Sequence, residues 1–583
     1  MYAGNEVERI ERARFLKGTI SERADDLPLI IHWLKQMEIA SIIDRELASP
    51  HGNRKGLSYG QLSVLFLSYV VSQSDHRLCA VETWVEKHRQ TLEMTTGWTI
   101  GEKDATDDRL ADLLSIIGSS RSESRENIAL RLGQKTIRAY ELPTDKARSD
   151  TTSFSVYHQS RTESENLLNF GYSKDRRPDL VQYRQMLATL DPMGLPLLGA
   201  TLPGNKTDES DYLPTWRQLA KIIGHKDFLF LADSKGSTWK NRASINHEGG
   251  IYCFPLAMCQ PRPKLLLEWL ALPPTAVSEI YLDSEAESES PIGQGFEVPL
   301  GSLWWDKEEQ QWHRWSERWL VVCSYALQQR QLKSLSARLT KAELALEKLV
   351  QKTPQDEGVL QTKVENILKR YRVKEQILTS IEKKINYQKV YQGAGRRGEN
   401  RSYRRVRQTT FSLTYQRCQA KIAEQQSVAG WRLYATNAEE SRLSLEQAVN
   451  SYREQWQPER GFHRFKRGRL PALPIYFQDG ERIRGLMFLL TIALTLFTLM
   501  EFVVRRQLAV AEQSLSGLYA GNPKRPTFRP TAEQLLTAFS NLTFYLYPDG
   551  STEISSLNSL QRQILVLMKI PESIYLVPQL VPD

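Results

Sequence analysis

Between Leu486 and Met500 the chain runs for fifteen residues without a charge (LMFLLTIALTLFTLM). Spanning a bilayer takes about twenty such residues. The run is too short to cross a membrane, so it reads as a helix buried on all sides and packed behind a sheet. Its threonines fit that setting, as do Glu501 and the pair Arg505-Arg506 that close it. A helix of this kind needs a large core around it, and 583 residues with 41% hydrophobic content can support more than one core, in two to four domains.

The sheet is legible between Asp150 and about Pro261. Apolar and β-branched runs predict strands near 150–157, 182–190, 195–201, 227–232 and 251–257, with helices near 211–223 and 237–247. Asp150 opens the first of these strands (DTTSFSVY). Asp233 closes a short apolar one (DFLFLAD) ahead of the loop SKGS. Upstream, residues 28–118 show helical apolar spacing, as in Leu27–Leu47 and Tyr59–Val71, with turn signals at Pro50-His51-Gly52-Asn53. That pattern predicts a helical amino-terminal domain.

Some 225 residues separate Asp233 from Glu459, too many for one loop, so an insertion interrupts the core. Within it, Val322–Val390 is charged and Leu-rich, with Leu332, Leu335, Leu339, Leu344, Leu346 and Leu349 near helical spacing. Two long helices in an antiparallel hairpin are predicted, broken around Thr353-Pro354-Gln355. Gly393-Ala394-Gly395 then opens a flexible basic loop in which Arg396, Arg397, Arg401, Arg404, Arg405 and Arg407 crowd around Tyr403. Such a loop tracks phosphates and reads few bases. The cluster Trp304, Trp305, Trp312, Trp315 and Trp319 admits two readings, a core or a stacking surface for a flipped base. The boundaries that follow are 1–137 (helical), 138–265 (first part of the core), 266–425 (insertion), 426–510 (second part) and 511–583, where NPKRPTFRP (Asn522–Pro530) reads as an extended linker.

The segment Tyr452–Lys466 (YREQWQPERGFHRFK) carries the clearest chemistry. Glu459 has Tyr452 seven residues before it and Lys466 seven after, about two helical turns each way, which sets all three near one face of a helix. A carboxylate there can hold a metal ion while Arg453, Arg460, Arg464, Arg467 and Arg469 hold phosphate. The pattern resembles the Y-x2-R-x3-E-x6-K signature of bacterial insertion-sequence transposases of the IS-four group, with Gln455 at the family's arginine position and Arg453 two residues earlier. Further segments resemble the family's central blocks in order: GYSKDRRPDLVQY (Gly171–Tyr183), LDPMGLPLLGATLPGNKTDES (Leu190–Ser210), LADSKG (Leu231–Gly236) and GWRLYATN (Gly430–Asn437). SDHRLCAVETW (Ser74–Trp84) and DDRLADLL (Asp107–Leu114) are similar to its pre-catalytic region. That region binds transposon ends in one reading, and in another is a bundle that supports the core or a dimer.

The resemblance implies an α/β, ribonuclease-H-like core interrupted by a large, mainly helical insertion and preceded by a helical domain. It also implies that Asp150, Asp233 and Glu459 are a DDE trio. Phosphodiester cleavage builds negative charge on the attacking and the leaving oxygen, which two magnesium or manganese ions about 3.5–4 Å apart can stabilise. Such hard ions take oxygen ligands. Asp150 would bridge the two, Asp233 would bind one, and Glu459 the other. Tyr452, Arg453, Gln455, Arg460 and Lys466, with Arg396, Arg397, Arg404 and Arg405, would contact DNA. Partners on this reading are double-stranded DNA, as inverted-repeat ends and as target, and a second copy in a homodimer. The alternative is a catalytically inactive end-binding relative.

The remaining features agree with a nucleic-acid partner inside a bacterial cell. Net charge is +9, which favours a polyanion. No GxxxxGK[ST] or GxGxxG loop occurs, so no nucleotide cofactor is expected. Five scattered cysteines without a CxxC pair fit a reducing cytoplasm, and MYAGNEVERIERARF lacks the apolar core of a secretion signal. Among other carboxylates of the core, Asp175, Asp179 and Asp208 read as turn or DNA-facing residues, and Asp191 competes with the trio.

Overall fold

Helix starts follow capping chemistry written in the sequence. Ser58 accepts a hydrogen bond from the Gln61 backbone N–H (3.1 Å) while the Gln61 side chain accepts from Ser58 N (2.9 Å), a reciprocal cap that fixes where the helix Tyr59–Gln73 begins. The computed structural model describes residues 18–50, 54–119, 123–158, 167–172, 177–282, 290–351, 356–393 and 402–575. His51-Gly52-Asn53, Thr353-Pro354-Gln355, Asp175, Arg396, Arg397 and Arg401 lie outside the described residues. The chain is mixed α/β with a large mixed sheet, and its contacts divide it into two compact units. The first is Met1–Phe254 with Leu303–Trp315 and Ser451–Asp583; the second is Pro255–Ser302 with Ser316–Asn450.

The first unit opens with strand β1 (Ile20–Arg23) and the helices α1 (Leu27–Gln36), α2 (Ile39–Glu46), α3 (Tyr59–Gln73), α4 (Leu78–Lys87), α5 (Arg89–Thr96), α6 (Asp107–Gly118) and α7 (Ser124–Tyr140). The helical run from Leu27 is divided at Glu38, whose left-handed backbone (φ 56°) turns the chain between α1 and α2. Next come β2 (Lys146–Val156), β3 (Val181–Leu190), β4 (Leu195–Pro203), α8 (Tyr212–Ile223), β5 (Leu229–Leu231), α9 (Trp239–His247) and β6 (Ile251–Leu256). Strand order is β4-β3-β2-β5-β6, antiparallel across β4, β3 and β2 and parallel across β2, β5 and β6. The elements predicted from residue 182 onward match these within a few residues. The first strand differs, because β2 starts at Lys146 and Asp150 lies inside it. Arg148 hid the true start: a cation within a strand argues against one until its buried partner is known.

The second unit holds α10 (Arg262–Ala271), β7 (Ser278–Ile280), most of β8 (Gly293–Asp306) and β9 (Gln311–Ser324), α11 (Tyr325–Val350), α12 (Glu357–Tyr371), β10 (Ile377–Tyr391), β11 (Tyr403–Arg417), α13 (Gln419–Ser427) and β12 (Trp431–Thr436). The insertion is therefore not mainly helical. Two long helices do occur, and Leu335, Leu339 and Leu346 of α11 pack with Leu360, Val364 and Leu368 of α12. After Arg372, in left-handed conformation, the chain turns into a two-stranded ribbon paired from Ile377↔Arg417 to Tyr391↔Tyr403. Residues 377–391 read as helix by charge and length. Their alternation of Ile377, Thr379, Ile381, Ile385, Tyr387 and Tyr391 on one face is the period of a strand. The expected basic loop is thus in part a strand, with Arg404, Arg405 and Arg407 exposed on β11.

Residues 445–583 supply α14 (Leu445–Arg453), α15 (Trp456–Arg467), α16 (Gly480–Val510), α17 (Ala532–Thr537), β13 (Thr543–Leu546), β14 (Thr552–Ile554) and α18 (Ser559–Met568). α16 is long and apolar enough to cross a membrane, and 94% of its apolar window is buried within the protein. β1, β13 and β14 form a small sheet that joins residues near the two ends of the first unit, with Ile20 opposite Leu546. All five cysteines are free thiols. Glycine permits the closest crossing: a Cβ on Gly485 of α16 would run into the Leu114 carbonyl oxygen of α6, and one on Gly118 into that of Glu481. Because backbone, not a movable side chain, blocks the space, Gly485→Ala is expected to lower the unfolding free energy by about 1–3 kcal/mol. A urea midpoint unchanged from the native chain would show that the crossing is looser than this.

Candidate functional site

The parallel pairing of β2 with β5 sets two carboxylates side by side. Lys146, Ala147 and Arg148 stand opposite Leu229, Phe230 and Leu231, so Asp150 and Asp233 each lie two residues past the last matched pair. Neighbouring strands are about 4.8 Å apart, which makes these two residues adjacent where β5 ends. Tyr212, at the start of α8, ties them together. Its hydroxyl donates to Asp233 Oδ1 (2.7 Å), and burial followed by the charge of Asp233 and that of Asp150 pushes its pKa well above the usual phenol value. It therefore stays protonated and remains a donor. The Lys235 backbone N–H donates to the same Asp233 oxygen (2.9 Å), and the Thr151 N–H donates to Asp150 Oδ1 (2.7 Å). Both aspartates are half-buried.

Glu459 reaches this region from α15. Even-numbered residues of β2 share one face. Two of them meet the polypeptide around α15: Arg148 Nη2 contacts Glu454 Oε2 (3.2 Å) and the Ser451 carbonyl (2.9 Å), and Lys466 Nζ lies 5.4 Å from the centre of the Phe154 ring. From Arg148 to Phe154 the strand advances roughly 20 Å, and the helical steps from Trp456 to Lys466 advance about 15 Å. α15 thus runs along the same face in the same direction as β2. Glu459 lies seven residues before Lys466, on the same helical stripe, and is exposed. Asp150 and Asp233 are thus neighbours in register, and Glu459 is carried by the helix whose Lys466 reaches Phe154 of β2, in the same unit.

Tyr452 does not share a helix with Glu459, contrary to what the sequence spacing predicts. α14 ends at Arg453 and α15 begins at Trp456, because Pro458 has no N–H to give the Glu454 carbonyl and its ring crowds that oxygen. That proline was a signal available in the sequence. Gln455 caps α15 half-buried, and Arg453 is exposed. Arg460, expected at phosphate, donates instead to both oxygens of Glu501 (2.6 and 2.8 Å). Arg464 is buried between Glu501 and Glu533, and Ala532 N–H also donates to Glu501 (3.0 Å). These arginines hold α15 to α16 and α17. Of the basic-ribbon residues, Arg404 and Arg405 are exposed on β11, while Arg396 and Arg397 lie outside the described residues.

Two competing carboxylates are consumed in buried ion pairs. Asp191 accepts from Arg148 Nε (2.8 Å), with both side chains almost fully shielded. Asp208, expected at a turn facing DNA, is fully buried and pairs with Arg184 and with Lys235 Nζ (3.1 Å). Asp179 is exposed and paired with Arg177 (2.6 Å). The sequence missed Tyr212, Arg148 and Arg184, because each gains its role only from a partner many residues away. Trp315 and Trp319 of the tryptophan cluster are core residues, the first donating to Tyr252 Oη (2.9 Å); Trp305 and Trp312 are exposed and pack on each other.

No protein-family model matches the chain, and no curated protein matches it at significance. The anchoring of α15 is testable by stability alone. Glu501→Ala removes the carboxylate from a site that is 3% exposed and leaves Arg464 short of a partner. A loss of about 3–5 kcal/mol in unfolding free energy is expected, with Glu501→Gln losing less; a loss under about 1 kcal/mol for Glu501→Ala would overturn the assignment.

Proposed function

We propose that the chain is a DDE transposase built on a ribonuclease-H-like core, cutting DNA at the inverted-repeat ends of an insertion sequence and joining them to target DNA. The observation that carries the reading is the register of Asp150 and Asp233 on neighbouring parallel strands, with the Glu459 stripe over the same face. The chain order β2, β3, β4, α8, β5, α9, β6 supports it, because a ribonuclease-H-like core requires that succession of elements. The residue spacing of Tyr452, Glu459 and Lys466 supports it from the sequence side.

Three carboxylates with no histidine or cysteine among them fit hard divalent cations, magnesium or manganese. Such ions, when bound, supply positive charge for the attacking and leaving oxygens of a phosphodiester. Asp150, Asp233 and Glu459 would hold them. Tyr212 has a positioning part, since its hydroxyl engages Asp233 Oδ1 and so orients the carboxylate. Lys466, on the same stripe as Glu459, is suited to the DNA backbone, and the exposed Arg404, Arg405 and Arg407 of the second unit are suited to phosphates too. In this reading water opens each end to leave a 3′ hydroxyl, which then attacks the target, with two copies pairing two ends in the bacterial cytoplasm.

A second reading rests on Gln455: a neutral side chain where the resembling family has arginine favours an end-binding protein that no longer cuts. One experiment separates the two. With Mg2+ and a duplex carrying the inverted repeats that flank its reading frame, the native chain should nick and then transfer strands. Asp233→Asn should bind that duplex equally while cutting at least about 1000-fold more slowly, equivalent to about 4 kcal/mol of barrier. Equal cutting by the variant removes Asp233 from the chemistry; binding without cutting by the native chain selects the second reading. Nicking with no strand-transfer product would mark a nuclease.

A further inference from the structure

Within the first unit, the tip of the β8/β9 hairpin, Leu303–Trp315, carries a second constellation that the carboxylate site does not use. His247 ends α9, and Glu309 and His313 stand on the hairpin tip. One potential ligand atom from each of the three lies within 4.8 Å of the other two. His313 Nε2 is 3.4 Å from Glu309 Oε2, and the His247 and His313 ring centres are 4.5 Å apart at 73°. We propose that His247, Glu309 and His313 bind one borderline transition-metal ion of the zinc class, which clips the hairpin tip to the carboxyl end of α9.

Ligand spacing is the first argument. An ion about 2.0–2.1 Å from imidazole nitrogen and carboxylate oxygen in tetrahedral geometry holds its donors about 3.3–3.4 Å apart. The His313–Glu309 separation already has that value, so side-chain turns at the two exposed members, His247 and Glu309, complete the set.

The support around the donors is the second argument. Asp306 is 6% exposed, and its Oδ1 accepts N–H bonds from Glu308 (2.7 Å) and Glu309 (3.2 Å), which fixes the turn that presents Glu309. Its Oδ2 stands 3.9 Å from His313 Nε2, and the Trp304 ring lies against His313 (6.0 Å between centres, 27°). A buried carboxylate beside a ligand histidine is the kind of outer partner that orients such rings. Nearby acids are already neutralised, Glu308 by Lys240 (2.6 Å) and Glu248 by Arg217 (2.6 Å), whereas among the described residues Glu309 has His313 as its ion-pair partner. A cavity of about 460 Å³, lined by the three donors together with Asp306, gives an ion a way in.

Donor type separates this site from the carboxylate trio. Imidazole suits zinc, copper, nickel or iron, while magnesium takes oxygen. Three protein donors leave a tetrahedral ion one position for water. A simple histidine–carboxylate ion pair accounts for Glu309 and His313, yet gives no reason for His247 to join them from another element.

The test uses the full chain, stripped with chelator, and titrated with Zn2+ alone and Co2+ alone by calorimetry and visible absorption. One equivalent should bind with a micromolar or tighter Kd, unaffected by millimolar Mg2+, and Zn2+ should raise the melting temperature. His247→Ala and Glu309→Gln, both at exposed positions and so expected to fold, should each weaken binding at least about tenfold and abolish the thermal shift. His225→Ala, an exposed histidine elsewhere, should change neither. Absence of one-equivalent binding overturns the proposal. So does binding that survives His247→Ala, or a cobalt spectrum showing thiolate ligation, which would assign the ion to the cysteines.

Discussion

Charge buried away from water must be paired, and two such groups decide where α15 lies. Arg148 has no exposed side-chain surface, and its guanidinium joins β2 to Asp191 after β3 and to Ser451 and Glu454 ahead of α15. Along α15, Glu501 of α16 pairs with Arg460 and Arg464, and it also takes Arg505 and the N–H of Ala532. Removing one partner from a buried pair costs several kcal/mol, because the survivor keeps its desolvation without its compensation. The helix bearing Glu459 is therefore fixed just ahead of its start by Arg148 and along its length by Glu501, through interactions that tolerate little displacement. An exposed carboxylate gains a defined position from charges that are not exposed.

How much of this was readable before the structure varied with the range of the interaction that decides each element. The strands of the core from 182 onward depend on local apolar pattern and were legible to within a few residues, and the same pattern showed the buried centre of α16 at 486–500 but not the charged turns that extend it to Gly480 and Val510. Lys146–Ser149 was not, since Arg148 becomes compatible with a strand only through Asp191, forty-three residues on. Asp208 read as a surface turn for the same reason: Arg184 lies on a strand whose neighbours sequence alone does not reveal. At the candidate site the three acids were visible as residue types at strand ends and on a helix. Their common face was not, because it follows from the register of β2 against β5 and from the direction of α15.

The insertion shows the opposite error, a local pattern read with the wrong period. Leu335, Leu339, Leu346, Leu360, Val364 and Leu368 do form a helix pair core. The same core continues into Ile377, Phe411 and Leu413, at the base of the ribbon. Charge density extended the helical reading past Arg372, whereas the isoleucines and tyrosines, all at odd-numbered positions from Ile377 to Tyr391, had already changed the period to that of a strand. Once paired, β10 and β11 carry their basic and aromatic residues on an extended two-stranded frame, so Arg404, Arg405 and Arg407 have fixed spacing along it. A loop would have left that spacing undefined.

Donor chemistry divides the two candidate sites of the first unit more sharply than distance does. Carboxylates within β2 and just past β5, with hydroxyl and amide donors holding one oxygen, suit ions that keep their waters and exchange quickly. Imidazoles backed by a buried aspartate suit an ion that stays. The first arrangement fits chemistry in which substrate oxygens must enter the coordination sphere and leave it. The second fits a turn that must remain where it is, and the hairpin tip at Leu303–Trp315 has little apolar burial of its own beyond Trp315. Where hydrophobic area is scarce, a metal clip is an economical way to fix a turn, since it needs only three side chains already brought together by the fold.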